Sequence, residues 1–171
     1  MKARQPLDVF IRQPFTESDE LQRRLVADVL ALIEECNGDP YPFNYLTGNK
    51  AESSSTFFAT FESESGEDFT PSRFREHRLG LLDQADVFIN IRVALSESTA
   101  FELAYHIFRG ARTPILFLVW KHAPIKTTLL KDLHPLCRVA YLEFERPEDL
   151  RDSLHAFFDR LQVPAKAARH A

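Results

Sequence analysis

Short apolar runs alternate along the chain with longer segments in which apolar residues recur every three or four positions. Continuous apolar runs of this kind are typical of strands buried on both faces of a sheet, whereas the wider spacing is typical of amphipathic helices. The runs predict strands at 7–11, 87–91, 115–120 and 139–144. The segments between them predict the helices.

Two of these helices have recognisable starts. A T-x-x-D signal at Thr16 to Asp19 precedes a helix that ends at Asn37-Gly38. Its apolar positions share helical spacing: Leu21, Leu25, Val26, Val29, Leu30 and Ile33. Thr70 and Pro71 read as the N-cap and first position of another helix. Its sheet-facing residues are predicted to be Phe74, Leu79, Leu82 and Ala85.

Two further helices are predicted in the second half of the chain. Ser96 or Ser98 caps a helix that runs to Gly110, with Pro114 just beyond its end. Pro147 opens a final amphipathic helix. Its apolar residues are Leu150, Leu154, Phe157, Phe158 and Leu161.

The segment 39–69 has no clear periodicity. Most of it is loop-like in composition, while the run from Thr56 to Phe61 has strand-like residues. We expect a second strand somewhere in this segment. The polar remainder is either a lid over a site or a surface insertion.

Strands that alternate with helices through short connections predict parallel βαβ units with right-handed crossovers. The expected fold is an α/β three-layer, doubly wound sandwich, with a flavodoxin-like parallel sheet of about five strands. In such sheets ligands bind beyond the carboxyl ends of the strands, where the strand order reverses. The loops from Arg12 to Thr16 and from Arg92 to Ser98 are expected to meet there.

Composition narrows the function classes. The chain has 171 residues, enough for one domain with a substantial core, predicted at 1–165 with a frayed tail at 166–171. A net charge of −4 without a basic patch predicts neither nucleic acid nor membrane as a partner. Cys36 and Cys137 lack disulfide-framework or zinc-ligand spacing. With no signal-peptide or membrane-spanning run visible, we expect a cytoplasmic protein.

Candidate chemistry concentrates at the start of the helix near Ser98. Glu102, expected in the first turn of this helix, would lie near the positive end of the helix dipole, which favours an ionised, nucleophilic carboxylate. Ser96 and Ser98, with free backbone amides, can form an anion site, although either serine can instead be a simple helix cap. Thr99, Glu102, His106 and Arg109 can equally be the polar stripe of any helix that covers a sheet.

Other motifs are weaker. Arg12 and Gln13 in the first loop can contact phosphate or base, or be solvated residues at a strand end. The histidines show no metal-ligand spacing beyond Glu102-x-x-x-His106, so no metal is predicted. The absence of P-loop, GxGxxG and GxSxG sequences argues against nucleoside triphosphatases, dinucleotide oxidoreductases and serine hydrolases.

The run LLDQADVFINIRVALSESTAFELAYHIFRGARTPILFL resembles the nucleoside 2-deoxyribosyltransferase superfamily. That superfamily has an Ala-Asp pair, a hydrophobic strand, a Ser- or Gly-containing loop, a helix with Glu-Leu-Gly, and a basic-x-Pro entry to the next strand. The counterparts here are Ala85-Asp86, Val87 to Ile91, Ser96 to Thr99, Glu102-Leu103-Ala104 and Arg112-Thr113-Pro114. The opening DVFIRQPF is similar to the family's first strand and loop, with Pro14-Phe15 kept in kind.

The resemblance implies that Glu102 attacks the anomeric carbon of a nucleoside and displaces the base. It also implies substrate contacts from the first loop, Arg12 to Phe15, and from Ser96, Ser98 and Thr99, with the serines placed as in cytidine monophosphate hydrolases. The expected activity is N-glycosidase action on a nucleoside 5′-monophosphate, without a cofactor. Transfer of deoxyribose between bases and hydrolysis of NAD by a TIR-like relative are the enzyme alternatives. Relatives form dimers or larger oligomers, so self-association is expected.

Two departures from the family pattern change these expectations. The family's usual aspartate, eight residues before Asp86, is replaced by Arg78, so another acid such as Glu76, Asp68 or a residue of a neighbouring subunit would protonate the base. Arg78 also supports a catalytically silent module that binds an anionic nucleotide. The first loop lacks glycines, so its amides approach phosphate less freely. Asp86, at the amino end of a strand, is predicted to be structural.

Overall fold

A five-stranded parallel sheet forms the centre of the protein. The computed structural model describes residues 5–14, 18–38, 41–48, 57–110 and 112–161. The strands are β1 (Leu7–Arg12), β2 (Phe43–Thr47), β3 (Val87–Arg92), β4 (Ile115–Trp120) and β5 (Val139–Phe144). Their order is β2-β1-β3-β4-β5, with every neighbouring pair parallel. The predicted flavodoxin-like, doubly wound fold is confirmed, and strand order reverses between β1 and β3.

Helices cover both faces of the sheet. They are α1 (Glu20–Glu35), α2 (Phe57–Ser65), α3 (Pro71–Gln84), α4 (Glu97–Phe108) and α5 (Arg151–Asp159). Side chains alternate along β1, so Val9 and Ile11 pack with α1 and α5 while Phe10 packs with α3 and α4. The two resulting cores make the three layers. None of the helices in the described residues is long and apolar enough to span a membrane.

Helix ends follow the capping signals in the sequence. At α1 the N-cap is Asp19 rather than Thr16 of the T-x-x-D signal: Asp19 forms a capping box with Gln22, and Thr16 lies outside the described residues. Thr70 caps α3, and Pro71 is its first residue, as predicted. Pro147 opens a 3₁₀ turn, Pro147–Leu150, and α5 begins only after it.

The strand-like interpretation of the run from Thr56 to Phe61 is wrong, because the described part of this run belongs to α2. Phe58 and Phe61 lie on one side of α2 and pack edge-on against Phe69, with centroid distances of 4.4 and 5.8 Å. Helical spacing is what lets both rings reach this cluster. The second strand is instead β2, a half-buried edge strand.

Candidate active site

The carboxyl ends of β1 and β3 lie side by side where the strand order reverses. Arg12 ends β1 and is in register with Asn90 of β3. The chain after β3 enters α4, whose N-cap is Ser96; its hydroxyl accepts a hydrogen bond from the Thr99 amide at 3.4 Å. Glu102 then falls on the buried side of α4. The topology thus brings the first loop and the start of α4 to one edge of the sheet.

Glu102 lies between two arginine side chains. Its Oε1 accepts a hydrogen bond from Nε of Arg78 at 3.2 Å and lies 3.1 Å from Nη2 of the same guanidinium. Its Oε2 lies 3.4 Å from Nε of Arg12. The exposed fractions of the three side chains are only 7% to 8%. Opposite charges this close and this buried attract more strongly than at the surface, so the carboxylate is held firmly in place.

The two carboxylate oxygens of Glu102 differ in their surroundings. Oε1 contacts two nitrogens of Arg78, whereas Oε2 is buried and forms no hydrogen bond with any residue in the described ranges. Its contact with Arg12 is an ion pair at the longer distance of 3.4 Å. Oε2 is therefore the oxygen with the greater capacity to accept a new partner.

Both arginines are held by further contacts. Nη1 of Arg78 donates a hydrogen bond to Oγ1 of Thr47 at 2.7 Å, and the guanidinium lies over the Phe10 ring, 4.5 Å from its centroid. Nη2 of Arg12 donates to Oγ of Ser96 at 3.1 Å. The cluster therefore receives contacts from β1, β2, α3 and the N-cap of α4.

A close approach between β1 and the residue after β2 shapes the same edge. Nε2 of Gln13 donates a hydrogen bond to the carbonyl of Gly48 at 3.1 Å. Gly48 has φ +80°, and a Cβ added there would lie 2.3 Å from the carbonyl oxygen of Ile11. Only glycine fits without displacing the backbone.

The structure brings together most of the substrate-binding residues predicted from the sequence. Those buried or half-buried at this edge are Arg12, Gln13, Pro14, Ser96 and Thr99. Ser98, by contrast, is exposed in the first turn of α4, and Ser96 rather than Ser98 is the cap. Phe15 lies outside the described residues.

Sequence reasoning missed Arg92, which ends β3 just as Arg12 ends β1. Its guanidinium donates hydrogen bonds to the carbonyls of Ala123 and Pro124, at 3.0 and 3.1 Å. Burial lowers the pKa of Arg92 from its ordinary value. Arg92 thus anchors the loop after β4 beside the candidate site. The sequence does indicate this role, because β1 and β3 both end in Ile-Arg.

The acids suggested as replacements for the family aspartate lie at the surface. Glu76 is exposed on α3, where it accepts a hydrogen bond from Ser72, and Asp68 is exposed before α3. Two other titratable residues, exposed Glu64 and half-buried His77, share a cavity of about 20 Å³ with Arg78. Nε2 of His77 is buried and has no hydrogen-bond partner among the described residues.

His106 and Asp86 have contacts that suit structural roles. Nε2 of His106 lies 3.1 Å from the Thr113 carbonyl, and its ring packs edge-on against Phe88. Asp86 precedes β3, at the opposite end of the sheet from Glu102; its carboxylate accepts a hydrogen bond from the Asp8 amide at 2.8 Å.

Comparison with known proteins shows likeness at the level of the fold. No protein-family profile matches the chain, and no curated protein sequence matches it. Among solved structures, the Clostridium botulinum CMP N-glycosidase BcmB aligns with a TM-score of 0.57 and 16% identity, over 88% of this chain and 98% of that one. The solution structure of BlsM aligns with a TM-score of 0.61 and 18% identity, over 94% and 97%. The chain therefore has the fold of these proteins along nearly its whole length.

Proposed function

We propose that this protein is an N-glycosidase that hydrolyses the N-glycosidic bond of a nucleoside 5′-monophosphate, releasing free base and sugar phosphate. The observation that carries the proposal is the buried carboxylate of Glu102, at the carboxyl edge of the sheet, whose Oε2 has no hydrogen-bond partner among the described residues. The shared fold with a CMP N-glycosidase supports the same substrate class.

Glu102 is the nucleophile in this proposal. Oε2 attacks C1′ of the sugar while the bond from C1′ to the base nitrogen breaks, and the base leaves with the bonding electron pair. Water then attacks C1′ of the glycosyl ester as the ester C–O bond breaks, which returns the carboxylate and places a hydroxyl on the sugar, while the proton lost by the water passes to the released base or to solvent. Arg78 orients the carboxylate by holding only Oε1.

The 5′-phosphate has a binding region at the start of α4. Ser96 already accepts a hydrogen bond from Arg12, and the first amides of α4 point toward the same end of the helix. A guanidinium, a hydroxyl and a helix N-terminus together suit a phosphate dianion. Ser98, exposed one residue into the helix, can contribute a second hydroxyl.

The departing base needs a proton, and Arg78 does not supply one at neutral pH. His77 and Glu64 line the cavity beside Arg78, so these are the residues to substitute first in a search for the acid.

A binding module without turnover is the second candidate. It is favoured by the paired contact between Arg78 and Oε1 of Glu102, because a carboxylate engaged by two cations is a weaker nucleophile than a free one. In that case the arginines and Ser96 would hold an anionic nucleotide that is not cleaved.

One experiment separates the two candidates. Wild type, Glu102→Gln and Glu102→Ala are incubated with nucleoside 5′-monophosphates, free nucleosides and NAD, and base release is followed by chromatography. Glu97→Gln is the matched control, because Glu97 is an exposed glutamate of the same helix. Circular dichroism checks that each variant is folded.

We expect release from a monophosphate by wild type and Glu97→Gln, with a loss of at least about 1,000-fold in both Glu102 variants. No release by wild type, together with thermal stabilisation by a monophosphate, would favour the binding module. Neither release nor stabilisation would overturn both candidates.

A further inference from the structure

A buried side-chain amide without a partner lies on β3, near Glu102. Asn90 is only 2% exposed, and its Nδ2, a hydrogen-bond donor, has no partner among the described residues. Buried side-chain amides are normally hydrogen-bonded, because burial without a partner costs the amide its contacts with water. A group that binds beside Asn90 would explain the exception.

The register of the sheet places Asn90 on the face that α4 covers. Its neighbours in β3, Ile89 and Ile91, pack in the core with α1, so the side chain of Asn90 lies on the opposite face. Asn90 is in register with Arg12 of β1. Nε of Arg12 lies 3.4 Å from Oε2 of Glu102, which brings the carboxylate to the same part of this face.

The packing of α4 sets Glu102 opposite Asn90. One turn after Glu102, the ring of His106 packs against Phe88, with a centroid distance of 5.8 Å. A helix that connects two parallel strands runs back across the sheet, so one turn back along α4, about 6 Å, corresponds to two residues forward along β3, about 6.6 Å. These steps lead from His106 to Glu102 and from Phe88 to Asn90. Oε2 of Glu102 and Nδ2 of Asn90 thus lie on facing elements, and they are not hydrogen-bonded to each other.

We propose that Asn90 is a specificity-determining residue, whose Nδ2 donates a hydrogen bond to the 2′-oxygen of the substrate, so that the site prefers ribonucleotides to 2′-deoxyribonucleotides. The inference rests on the function proposed above, in which Oε2 of Glu102 attacks C1′. The nucleophile approaches the sugar from the face opposite to the base, and the 2′-hydroxyl of a ribonucleotide lies on that face, on the adjacent carbon. A donor that faces Oε2 is therefore placed to reach this hydroxyl.

The absence of the hydroxyl leaves the buried donor unpaired. A site built to bond a substrate hydroxyl rejects the analogue that lacks it for this reason. A hydrogen bond at this position also strengthens in the transition state of glycoside cleavage, so its effect falls on catalysis as well as on binding.

The ratio of kcat/KM for a ribonucleotide to kcat/KM for its deoxy analogue tests the contact. Base release by wild type, Asn90→Ala and Asn44→Ala is measured with the four common ribonucleoside 5′-monophosphates, CMP among them, and with their 2′-deoxy analogues. Asn44 is the matched control, because it is an exposed asparagine of β2 in the same sheet. The glycosidic bond of a deoxynucleotide is intrinsically weaker, so the informative quantity is the change in this ratio between proteins.

We expect Asn90→Ala to lower the ratio by at least about 10-fold, through a loss of activity on the ribonucleotide. Asn44→Ala should change the ratio by less than about 2-fold. An unchanged ratio in Asn90→Ala, or an equal loss of activity on both sugars, would overturn the contact with the 2′-oxygen and leave the proposed activity standing.

Thermal unfolding distinguishes a substrate contact from a structural role. Asn90→Leu replaces the unpaired amide with an apolar group of similar size, so its melting temperature should equal or exceed that of wild type. A lower melting temperature in both Asn90→Leu and Asn90→Ala would show that the amide holds the fold, which contradicts the proposal.

Binding separates a failure of this inference from a failure of the proposed activity. If wild type releases no base from any of these nucleotides, the proposed activity fails, and isothermal titration calorimetry with CMP and 2′-deoxy-CMP then tests Asn90 alone. Tighter binding of CMP by wild type, with the preference lost in Asn90→Ala, would support the contact. Equal binding of the two nucleotides, or no binding of either, would overturn it.

Discussion

Replacing Arg78 with leucine tests whether the ion cluster around Glu102 stabilises the fold. The substitution removes both nitrogen contacts to Oε1, at 3.2 and 3.1 Å, and leaves Glu102 with Arg12 alone. Removing one partner of a buried ion pair costs about 3 to 5 kcal/mol. Because Arg12 still compensates part of the charge of Glu102, we expect the loss in free energy of unfolding to lie near the lower end of that range. Loss of the hydrogen bond to Thr47 adds about 1 kcal/mol.

We therefore expect Arg78→Leu to lower the free energy of unfolding by about 4 kcal/mol, measured by urea denaturation with circular dichroism. Arg75→Leu is the matched control, because Arg75 is exposed on the same helix, and its effect should stay within about 0.5 kcal/mol. The double variant Arg78→Leu with Glu102→Gln should be less destabilised than the sum of the single variants, because the second change removes the uncompensated charge.

A stabilising role of the ion cluster is refuted if the free energy of unfolding of Arg78→Leu lies within about 1 kcal/mol of the wild-type value, or if the effects of the two single substitutions add without coupling. Should Arg78→Leu not fold, Arg78→Lys supplies the measurement. Lysine keeps the charge but loses the forked contact and the stacking on Phe10, so it should fold with a smaller loss of stability than leucine.

Two further predictions concern the surroundings of the site. Gly48→Ala should lower the free energy of unfolding by about 2 kcal/mol or more, because the new Cβ would meet the carbonyl of Ile11 at 2.3 Å in a backbone conformation with positive φ; an unchanged urea midpoint would contradict this. For His106, burial lowers the pKa below the ordinary 6.5, so the neutral form stabilises the fold above that pH and stability falls as the pH drops below it. The melting temperature of His106→Gln should therefore fall less than that of wild type when the pH is lowered from about 7.5 to 5.5. Equal falls would contradict a contribution from protonation of buried His106.

Four of the five strands were predicted from the sequence: β1, β3 and β4 are buried and appear as mainly apolar runs, and β5, although a half-buried edge strand, keeps apolar residues in most positions. The remaining strand, β2, lacks such a run, because it has only five residues and the polar residues Asn44 and Thr47 interrupt its apolar positions. The run before Phe61 has strand-forming residues, yet tertiary packing against Phe69 and Phe74 makes it a helix. In this run, packing against residues of the next segment outweighs the local preference for a strand.

The candidate site was predicted only in part, because the strand order is visible in the sequence and the orientation of the helices is not. Topology alone places Arg12 near Ser96 and Glu102, since the loops after the first and third strands meet at the reversal point. Counting along the chain identified Arg78 as a basic residue in place of an acid, but not that its side chain would hold Glu102. That contact depends on the orientation of α3, to which no local sequence pattern points. Thr47 was missed because its strand was not located.

Whether the site around Glu102 contains a proton donor determines which substrates it can cleave. A nucleophile alone suffices when the leaving group departs neutral, as nicotinamide does from NAD, whereas cytosine or a purine must gain a proton as its bond breaks. Arg78 supplies orientation but no proton, so a site with no other acid should cleave NAD in preference to a nucleoside monophosphate. A preference for the monophosphate requires a donor near Arg78, and His77 and Glu64 line the cavity there. The relative rates of base release from NAD and from nucleoside monophosphates therefore distinguish two cases. Either the site with Arg78 has no general acid, or a neighbouring residue acts as the acid.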